Sequence, residues 1–357
     1  MKLKKSPVGK QIDYSGLTAP VDNAAIRQFL EENSYSKSHA RLEILLRIFG
    51  LLFVIWGGFS MVTGAMASGV TGITGGIQLV VVGIVLLLVT PVIKRLYTTS
   101  VRISRFAHAN GWSYMHRVVN PSHQGVIFGV GHSRTAKDII YMNGDDETAS
   151  FEVGNYQYTT GSGKSQRTHY WTYCCIEMDR HVPHMLLDAK ANNASLFGKN
   201  LASNLPVSLR KDQVLSLEGD FDKYFTLYAP KDYKRDALYI FTPDLMALLI
   251  DAAHSFDAEV IDNRLYIYTR QSGGSGGALT RPDFMYRLLS VIHAVGMKVH
   301  RQTDYYADEA VGDRSIDVVA AGGRRLKQGV SWFAVIIILL VIVLLFAPLV
   351  FDLIGGR

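Results

Sequence analysis

The chain has 357 residues, of which 48% are hydrophobic and 19% are charged, and its formal net charge is +6. This charge is modest, and much of the positive excess lies beside apolar stretches, so composition argues only weakly for a nucleic-acid partner. The two cysteines are adjacent in sequence, which disfavours a disulfide between them and suits a reducing compartment.

Two long stretches contain no charged side chain, Ile48 to Ile93 and Val330 to Phe351. A membrane-spanning helix needs about 20 mostly apolar residues. The first stretch is therefore long enough for two spans, and the second for one. The first apolar run begins near Ile44, which is too far from the N-terminus for a secretory signal peptide. We predict an integral membrane protein of the cell (inner) membrane with three transmembrane helices.

In chain order, the predicted organisation has five parts. They are a cytoplasmic N-terminal segment with a short amphipathic helix (1–43), a transmembrane helical hairpin (44–97, with spans 44–64 and 77–96), a cytoplasmic α+β domain (98–328), a third transmembrane helix (330–351) and a short extracytoplasmic tail (352–357). The flanking positive residues are Lys2, Lys4, Lys5, Lys10, Lys94, Arg95, Arg102, Arg105, Arg324, Arg325 and Lys327. By the positive-inside rule, these residues predict that the N-terminus and the large domain are cytoplasmic.

Two helices are predicted around the first two spans. Asp22 to Glu32 should form a short helix with Asp22 as its N-cap and an apolar stripe that lies on the membrane or packs on the domain. Val101 to Trp112 should form a helix that ends at Asn110-Gly111, a sequence typical of a helix C-terminus.

A β-rich region follows. Phe151 to Thr159 and His169 to Met178 flank a polar turn and predict a long hairpin rich in aromatic and β-branched residues. Further predicted strands are Gly125 to Val130, Asp138 to Met142, Met185 to Asp188, Val214 to Leu217, Tyr224 to Tyr228 and Ala237 to Phe241. Helices are predicted at Thr242 to Ser255 and Arg281 to His293, with a strand pair around Asp262-Asn263 between them. This order favours an α+β domain with an antiparallel-rich sheet.

Two sequence patterns resemble chemical sites. Thr160 to Ser165 (TGSGKS) resembles a phosphate-binding loop, but it lacks the first glycine and precedes a strand, so a hairpin turn explains it better. Asp179, His181 and His184 have spacing reminiscent of a metal site, with Cys174 and Cys175 nearby, yet they fit no standard ligand pattern. Exposed histidines at a strand end are the simpler interpretation.

Two further groups have ordinary explanations. Glu218, Asp220 and Asp222 share one face of an extended chain and could bind a divalent cation, although a solvated acidic turn is favoured. The aromatic run at Tyr156, Tyr158, Tyr170, Trp171 and Tyr173 could stack nucleic-acid bases, but cross-strand packing accounts for it. We therefore assign no catalytic, cofactor-binding or metal-binding residue and expect no cofactor.

Several segments resemble a family of uncharacterised bacterial integral membrane proteins. Leu215 to Tyr268 carries the resemblance, with an acidic turn, the F-x-x-Y strand and the sequence DALYIFTPDLMALLID. The other matching segments are Phe106 to Tyr114, Phe151 to Lys164, Pro183 to Asn193 and Arg301 to Asp308. The resemblance implies a membrane protein of this type. It implies no activity and no functional residue, because the family has no assigned active site.

The sequence thus predicts a non-enzymatic scaffold or regulatory subunit whose cytoplasmic domain binds a protein partner, or a second copy of the chain, at the lipid bilayer. Attachment of the domain at both ends would raise its effective concentration at the membrane. The alternative is a membrane-anchored metal-dependent hydrolase that uses Asp179, His181 and His184 or the acidic turn at Asp220. Transport is less favoured, because the predicted span cores contain no ionisable residue.

Overall fold

The computed structural model describes residues 11–33, 36–67, 70–144, 149–196, 199–217, 219–271 and 277–329. The predicted third span (330–351), the tail (352–357) and Glu218 lie outside these residues. The helices are α1 (Ser15–Thr18), α2 (Asn23–Glu32), α3 (Ser36–Ala67), α4 (Val70–Leu96), α5 (Thr98–Ala109), α6 (Phe221–Tyr224), α7 (Lys234–Ile240), α8 (Pro243–Leu248), α9 (Pro282–Val291) and α10 (Met297–Thr303). The strands are β1 (Ser113–Val119), β2 (His132–Met142), β3 (Phe151–Thr160), β4 (Arg167–Ala189), β5 (Ala194–Leu196), β6 (Lys199–Ala202), β7 (Val214–Leu215), β8 (Phe225–Tyr228) and β9 (Asp257–Gln271).

Glycines bring α3 and α4 together as an antiparallel pair. A Cβ atom on Gly57 would lie 2.7 Å from the carbonyl oxygen of Gly76, and one on Gly83 would lie 2.7 Å from that of Gly50. Such contacts let helix backbones approach closely, as they do between membrane helices. Ile44–Met66 is long and apolar enough to cross a membrane by length and composition, whereas Ile73–Leu88 is apolar but shorter. Within the described residues, one span is supported, and the three-span arrangement stays a prediction.

The domain after the hairpin is built on a seven-stranded antiparallel sheet with the strand order β1-β2-β3-β4-β8-β7. The long strand β4 pairs with β3 through its first half and with β8 at its end, while β9 pairs with β4 along most of its length. Strands β5 and β6 form a separate small sheet. The predicted α+β domain with an antiparallel sheet is confirmed.

The two faces of the sheet are covered differently. One face packs against α5 and α7 to α10, through buried residues such as Phe106, Ile240 and Leu288. The other face carries buried tyrosines and Trp171, and residues 121–131 cross over it. We call residues 121–131 the strap and this side of the sheet the aromatic face. Because side chains alternate along β4, Cys174 lies in the helical core and Cys175 lies on the aromatic face.

The segment before the hairpin packs on the domain. As predicted, Asp22 caps α2, and its Oδ1 accepts a hydrogen bond from the Ala25 N–H at 2.9 Å. Phe29 on α2 packs against Val101 and against the ring of Tyr114 at 5.8 Å. The predicted apolar stripe therefore contacts α5 and β1. Helix α5 also ends where expected, with Gly111 at a φ of 72°.

Three predicted elements are wrong. Residues 125–130 are turns of the strap, because the Val126 N–H donates to a side chain and not to a neighbouring strand. Residues 237–241 belong mainly to α7, whose buried Ala237 and Ile240 have helical spacing. The supposed turn at Asp262-Asn263 lies within the continuous strand β9. Asp262 adopts a positive φ of 54° there, at an irregularity in the pairing with β4.

Candidate functional site

Buried polar side chains converge beneath the strap. Ile127 and Phe128 are the buried apolar residues of the strap on the aromatic face, and the Phe128 ring lies 4.6 Å from that of Tyr156 and 5.3 Å from that of Tyr173. The polar groups lie among these rings, where Glu259 and His184 are buried and Glu152 and His123 are largely shielded from water. Their hydrogen bonds therefore decide whether the strap can close over the sheet.

Glu259 on β9 is the first centre of this network, and its side chain is fully buried. Its Oε1 accepts a hydrogen bond from His184 Nε2 at 2.6 Å. Its Oε2 accepts from the Val126 N–H of the strap at 2.9 Å and from the Tyr268 hydroxyl. The Leu326 N–H donates to His184 Nδ1 at 3.0 Å, so the ring proton lies on Nε2. One carboxylate thus joins β4, β9 and the strap.

Glu152 on β3 is the second centre. Its Oε1 lies 2.9 Å from His123 Nε2 of the strap and accepts a hydrogen bond from the Tyr173 hydroxyl. The other nitrogen of the His123 ring lies 3.3 Å from the Tyr266 hydroxyl. His123 therefore connects the strap to β3 and to β9. The two centres together attach both His123 and Val126 to the sheet.

In the second centre, the pKa of Glu152 is lowered and that of Tyr173 is raised. Burial is the largest effect on Glu152 and acts to raise its pKa, but the hydrogen bond and charge of His123, with help from Tyr173, leave this pKa lowered. Burial, followed by the neighbouring Glu152, raises the pKa of Tyr173 well above its usual range. Tyr173 therefore stays a hydrogen-bond donor to Glu152 at neutral pH, which fixes the direction of this bond.

A salt bridge lies over the edge of the network. Arg325 binds both oxygens of Asp262 at 2.8 and 3.0 Å and donates to Gln124 Oε1 at 2.8 Å. It thereby connects the strap to β9 from the solvent side. The donors and acceptors of this network are engaged with one another, so the arrangement is suited to fixing the strap in place.

Gly125 and Gly129 of the strap provide a matched test of how closely the strap packs on the sheet. A Cβ on Gly125 would lie 2.5 Å from the Tyr268 hydroxyl and 2.7 Å from Glu259 Oε2, whereas one on Gly129 would meet no atom within 4 Å. We expect Gly125→Ala to lower the free energy of unfolding by about 1–3 kcal/mol, because the methyl group must displace the network. Urea unfolding followed by tryptophan fluorescence measures this loss.

Gly129→Ala is the control, and it should be neutral or stabilising by up to about 1 kcal/mol, since alanine reduces the freedom of the unfolded chain. Equal effects of the two substitutions would contradict the described fit of the strap.

The structure separates the residues of the predicted metal pattern. His181 Nδ1 lies 2.9 Å from Asp317 Oδ2, whereas His184 is directed at Glu259 on the aromatic face. Asp179 lies near His300 of α10, with 3.9 Å between Asp179 Oδ2 and His300 Nε2. Asp179, His181 and His184 are therefore not brought together as ligands of one ion.

The other candidate patterns have structural roles in the part of the chain described. Thr160 to Ser165 forms the turn between β3 and β4, as predicted, and Gly161 has a positive φ of 75°. Asp220 pairs with Lys223 at 2.7 Å, while Asp222 accepts hydrogen bonds from Ser216 and from the Leu217 N–H. The two aspartates serve different partners, and their predicted companion Glu218 lies outside the described residues.

Four of the five aromatic residues of the run and both cysteines are core residues. Four members of the run are buried on the aromatic face, namely Tyr156, Tyr158, Trp171 and Tyr173. They cannot stack nucleic-acid bases while the strap covers them. Burial raises the pKa of Cys174 well above its usual range and that of Cys175 to about 12, so both stay protonated at neutral pH.

Sequence inspection missed Glu152, Glu259 and His123. Their partners come from strands and a strap far apart in the chain, and no spacing connects them. It also missed His300 and Asp304. These two have helical i, i+4 spacing, which could have indicated that they meet on one helix face.

Asp257, at the start of β9, makes folding sensitive to pH. It is fully buried, and burial, opposed by the Ala189 N–H and reinforced by the charge of Asp188, raises its pKa from 3.8 to about 7. Between these two values the folded chain holds a proton that the unfolded chain releases, so stability must fall as pH rises. We expect a loss of up to about 4 kcal/mol over this interval from this residue alone.

Urea unfolding of the wild type and Asp257→Asn across this pH interval measures the effect. The asparagine variant should gain stability relative to the wild type as pH rises. Its amide can bond to Asn192, whose Oδ1 makes no hydrogen bond among the described residues. Asp251→Asn, at an exposed position, is the control. Parallel curves for the wild type and Asp257→Asn would contradict the raised pKa.

Comparisons with known proteins add little. No protein-family model matches the sequence, and no curated protein matches it. The resemblance to uncharacterised bacterial membrane proteins therefore stays a prediction. Among solved structures, the chain is similar to the crystal structure of the mycobacterial trehalose monomycolate transport factor A, TtfA, with 11% identity and a TM-score of 0.34, over 55% of this chain and 96% of that chain. This similarity is too distant to indicate a function.

Proposed function

We propose that this chain is a three-span inner-membrane scaffold or regulatory subunit whose cytoplasmic α+β domain binds a protein partner at the membrane surface. The apolar hairpin supports the anchoring part of this proposal. Ile55, Trp56 and Phe59 of α3 expose 67%, 66% and 66% of their surfaces, an arrangement suited to contact with lipid. The basic residues of the flanking sequence favour the cytoplasmic placement of the domain.

The observation that carries the partner-binding part is an exposed tyrosine–arginine depression. Tyr239 of α7 and Tyr305 after α10 line a cavity of about 230 Å³ together with Arg235 and Arg314. Tyr305 exposes 69% of its surface and Tyr239 exposes 45%. Tyrosine and arginine are the residues that most often supply binding energy at protein interfaces, because they offer large contact areas with polar ends.

Site-specific photo-crosslinking tests this proposal in intact membranes. A photo-reactive phenylalanine analogue replaces Tyr305 in the full chain, and captured proteins are identified by mass spectrometry. Tyr286 of α9 is the matched control, because it is also a tyrosine and exposes 61% of its surface. We expect a defined partner to be captured at Tyr305 and not at Tyr286, and Tyr239→Ala with Arg314→Ala should reduce its yield.

Capture of a second copy of the chain at Tyr305 would identify the partner as the same protein. Equal capture at both tyrosines, or a yield that the alanine substitutions leave unchanged, would refute this surface. Reporter fusions at Gly69, at Gly274 and at the C-terminus test the proposed topology, in which only the first and last sites are extracytoplasmic. The alternative of a metal-dependent hydrolase has less support, since its proposed histidines serve separate carboxylates.

A further inference from the structure

A second cluster of titratable groups lies on the helical side of the domain, outside the network beneath the strap. It contains Asp179 from β4, His300 from α10 and Asp304, which caps the C-terminal end of α10. His300 Nδ1 lies 3.0 Å from Asp304 Oδ1, and His300 Nε2 lies 3.9 Å from Asp179 Oδ2. One potential ligand atom from each residue falls within 4.8 Å of the other two.

His300 is the unusual member of this cluster. Its side chain is 1% exposed, and neither ring nitrogen makes a hydrogen bond of acceptable geometry with the described residues. A buried imidazole that lacks hydrogen bonds costs free energy comparable to the loss of its hydration. The flanking carboxylates lie at ion-pair distances from the ring but do not meet it with hydrogen-bond geometry.

We propose that Asp179, His300 and Asp304 bind a divalent transition-metal ion. One imidazole nitrogen and two carboxylate oxygens form a donor set that suits zinc, which is bound at about 2.0–2.2 Å by both atom types. The 3.0 Å separation between His300 Nδ1 and Asp304 Oδ1 is appropriate for two ligands of one ion bound at Nδ1. Asp179 Oδ2 lies beside the other ring nitrogen, Nε2, so the Asp179 side chain or the His300 ring must turn to bring this oxygen to the same ion.

The position of the site indicates its role. Asp179 lies where the pairing of β4 with β9 is irregular, and the other two ligands are four residues apart at the C-terminal end of α10. Asp304 immediately precedes Tyr305, which lines the tyrosine–arginine depression. A metal ion would attach the end of α10 to the sheet and thereby fix the position of this depression. The Asp179 side chain is 19% exposed and provides the route of entry.

Zinc titration of the full chain tests the proposal. The protein is purified in detergent without a histidine tag, treated with a chelator and titrated with Zn²⁺ in a calorimeter. We expect about one ion per chain, and His300→Gln or Asp179→Asn should weaken binding by at least about 100-fold. X-ray absorption of the zinc-loaded protein should show one imidazole with oxygen ligands and no sulfur.

His181→Gln is the matched control, because His181 is a partly exposed histidine of the same strand that pairs with Asp317. It should retain the binding of the wild type. The partly exposed Asp179 allows a second ligand variant if His300→Gln does not fold, and circular dichroism verifies folding. Absence of binding by the wild type, sulfur among the ligands, or loss of binding in His181→Gln with retention in Asp179→Asn would overturn the proposal.

Discussion

Glu259→Ala is expected to lower the free energy of unfolding of the domain by about 3–5 kcal/mol, because it leaves buried donors without their acceptor. The donors are His184 Nε2, the Tyr268 hydroxyl and the Val126 N–H. The ring and hydroxyl can turn toward other acceptors only if the strap lifts, whereas the backbone N–H cannot turn at all. Urea unfolding of the full chain in detergent measures the loss, and the fluorescence of the buried Trp171 reports on the aromatic face.

Two further variants separate the loss of hydrogen bonds from the loss of a charge. Glu259→Gln keeps one oxygen for His184 but presents an amide to the Val126 N–H, so we expect a smaller loss of about 1–3 kcal/mol. Glu177→Ala removes an exposed carboxylate that lies 3.6 Å from Arg264, and it should cost no more than about 1 kcal/mol. If Glu259→Ala costs no more than Glu177→Ala, Glu259 does not secure the strap.

Gly57→Leu is expected to separate the two helices of the hairpin, while Gly58→Leu should be tolerated. A Cβ on Gly57 would lie 2.7 Å from the Gly76 carbonyl oxygen and 2.8 Å from the Val80 backbone nitrogen, but one on Gly58 meets nothing within 4 Å. Because the obstacle is backbone, the helices themselves must move, and the cost should exceed about 3 kcal/mol. The two glycines are adjacent in α3 but differ in what a side chain would meet.

Thermal unfolding of the full chain in detergent, followed by size-exclusion chromatography, measures this difference. The Gly57→Leu chain should aggregate at a markedly lower temperature, and trypsin should cleave it more readily near the hairpin. Gly76→Leu, on the opposite helix, should reproduce this effect because its Cβ would meet the Gly57 carbonyl oxygen at 2.7 Å. Equal behaviour of the Gly57 and Gly58 variants would show that the helices do not pack through this face.

Local signals predicted much of the fold. Asp22 caps α2, and the Asn110-Gly111 sequence ends α5, because each effect depends only on neighbouring backbone groups. The hairpin of β3 and β4 was also predictable, since aromatic and β-branched residues alternate on both sides of a glycine-containing turn. The Asp262-Asn263 sequence gave a wrong prediction, because it is compatible with two structures. Asp262 adopts a positive φ, which occurs in a hairpin turn but also in a bulge within one strand, as here.

The candidate sites could not be predicted in the same way. The Val126–Glu259 hydrogen bond joins residues 133 positions apart, and the His184–Glu259 bond joins residues 75 positions apart. Only the folded sheet and the strap bring these groups together. The sequence pattern groups Asp179 with His181 and His184, which are close in sequence but face other elements. In the fold, Asp179 lies near His300 of α10.

The junction between α4 and α5 has a mechanical consequence. Helix α4 ends at Leu96 and α5 begins at Thr98, so a single residue, Tyr97, separates them. Because the junction is so short, a movement of α4 is passed directly to α5, which packs on the sheet. In the proposed membrane arrangement, a hairpin that tilts when the bilayer thins or thickens must rotate the domain with it.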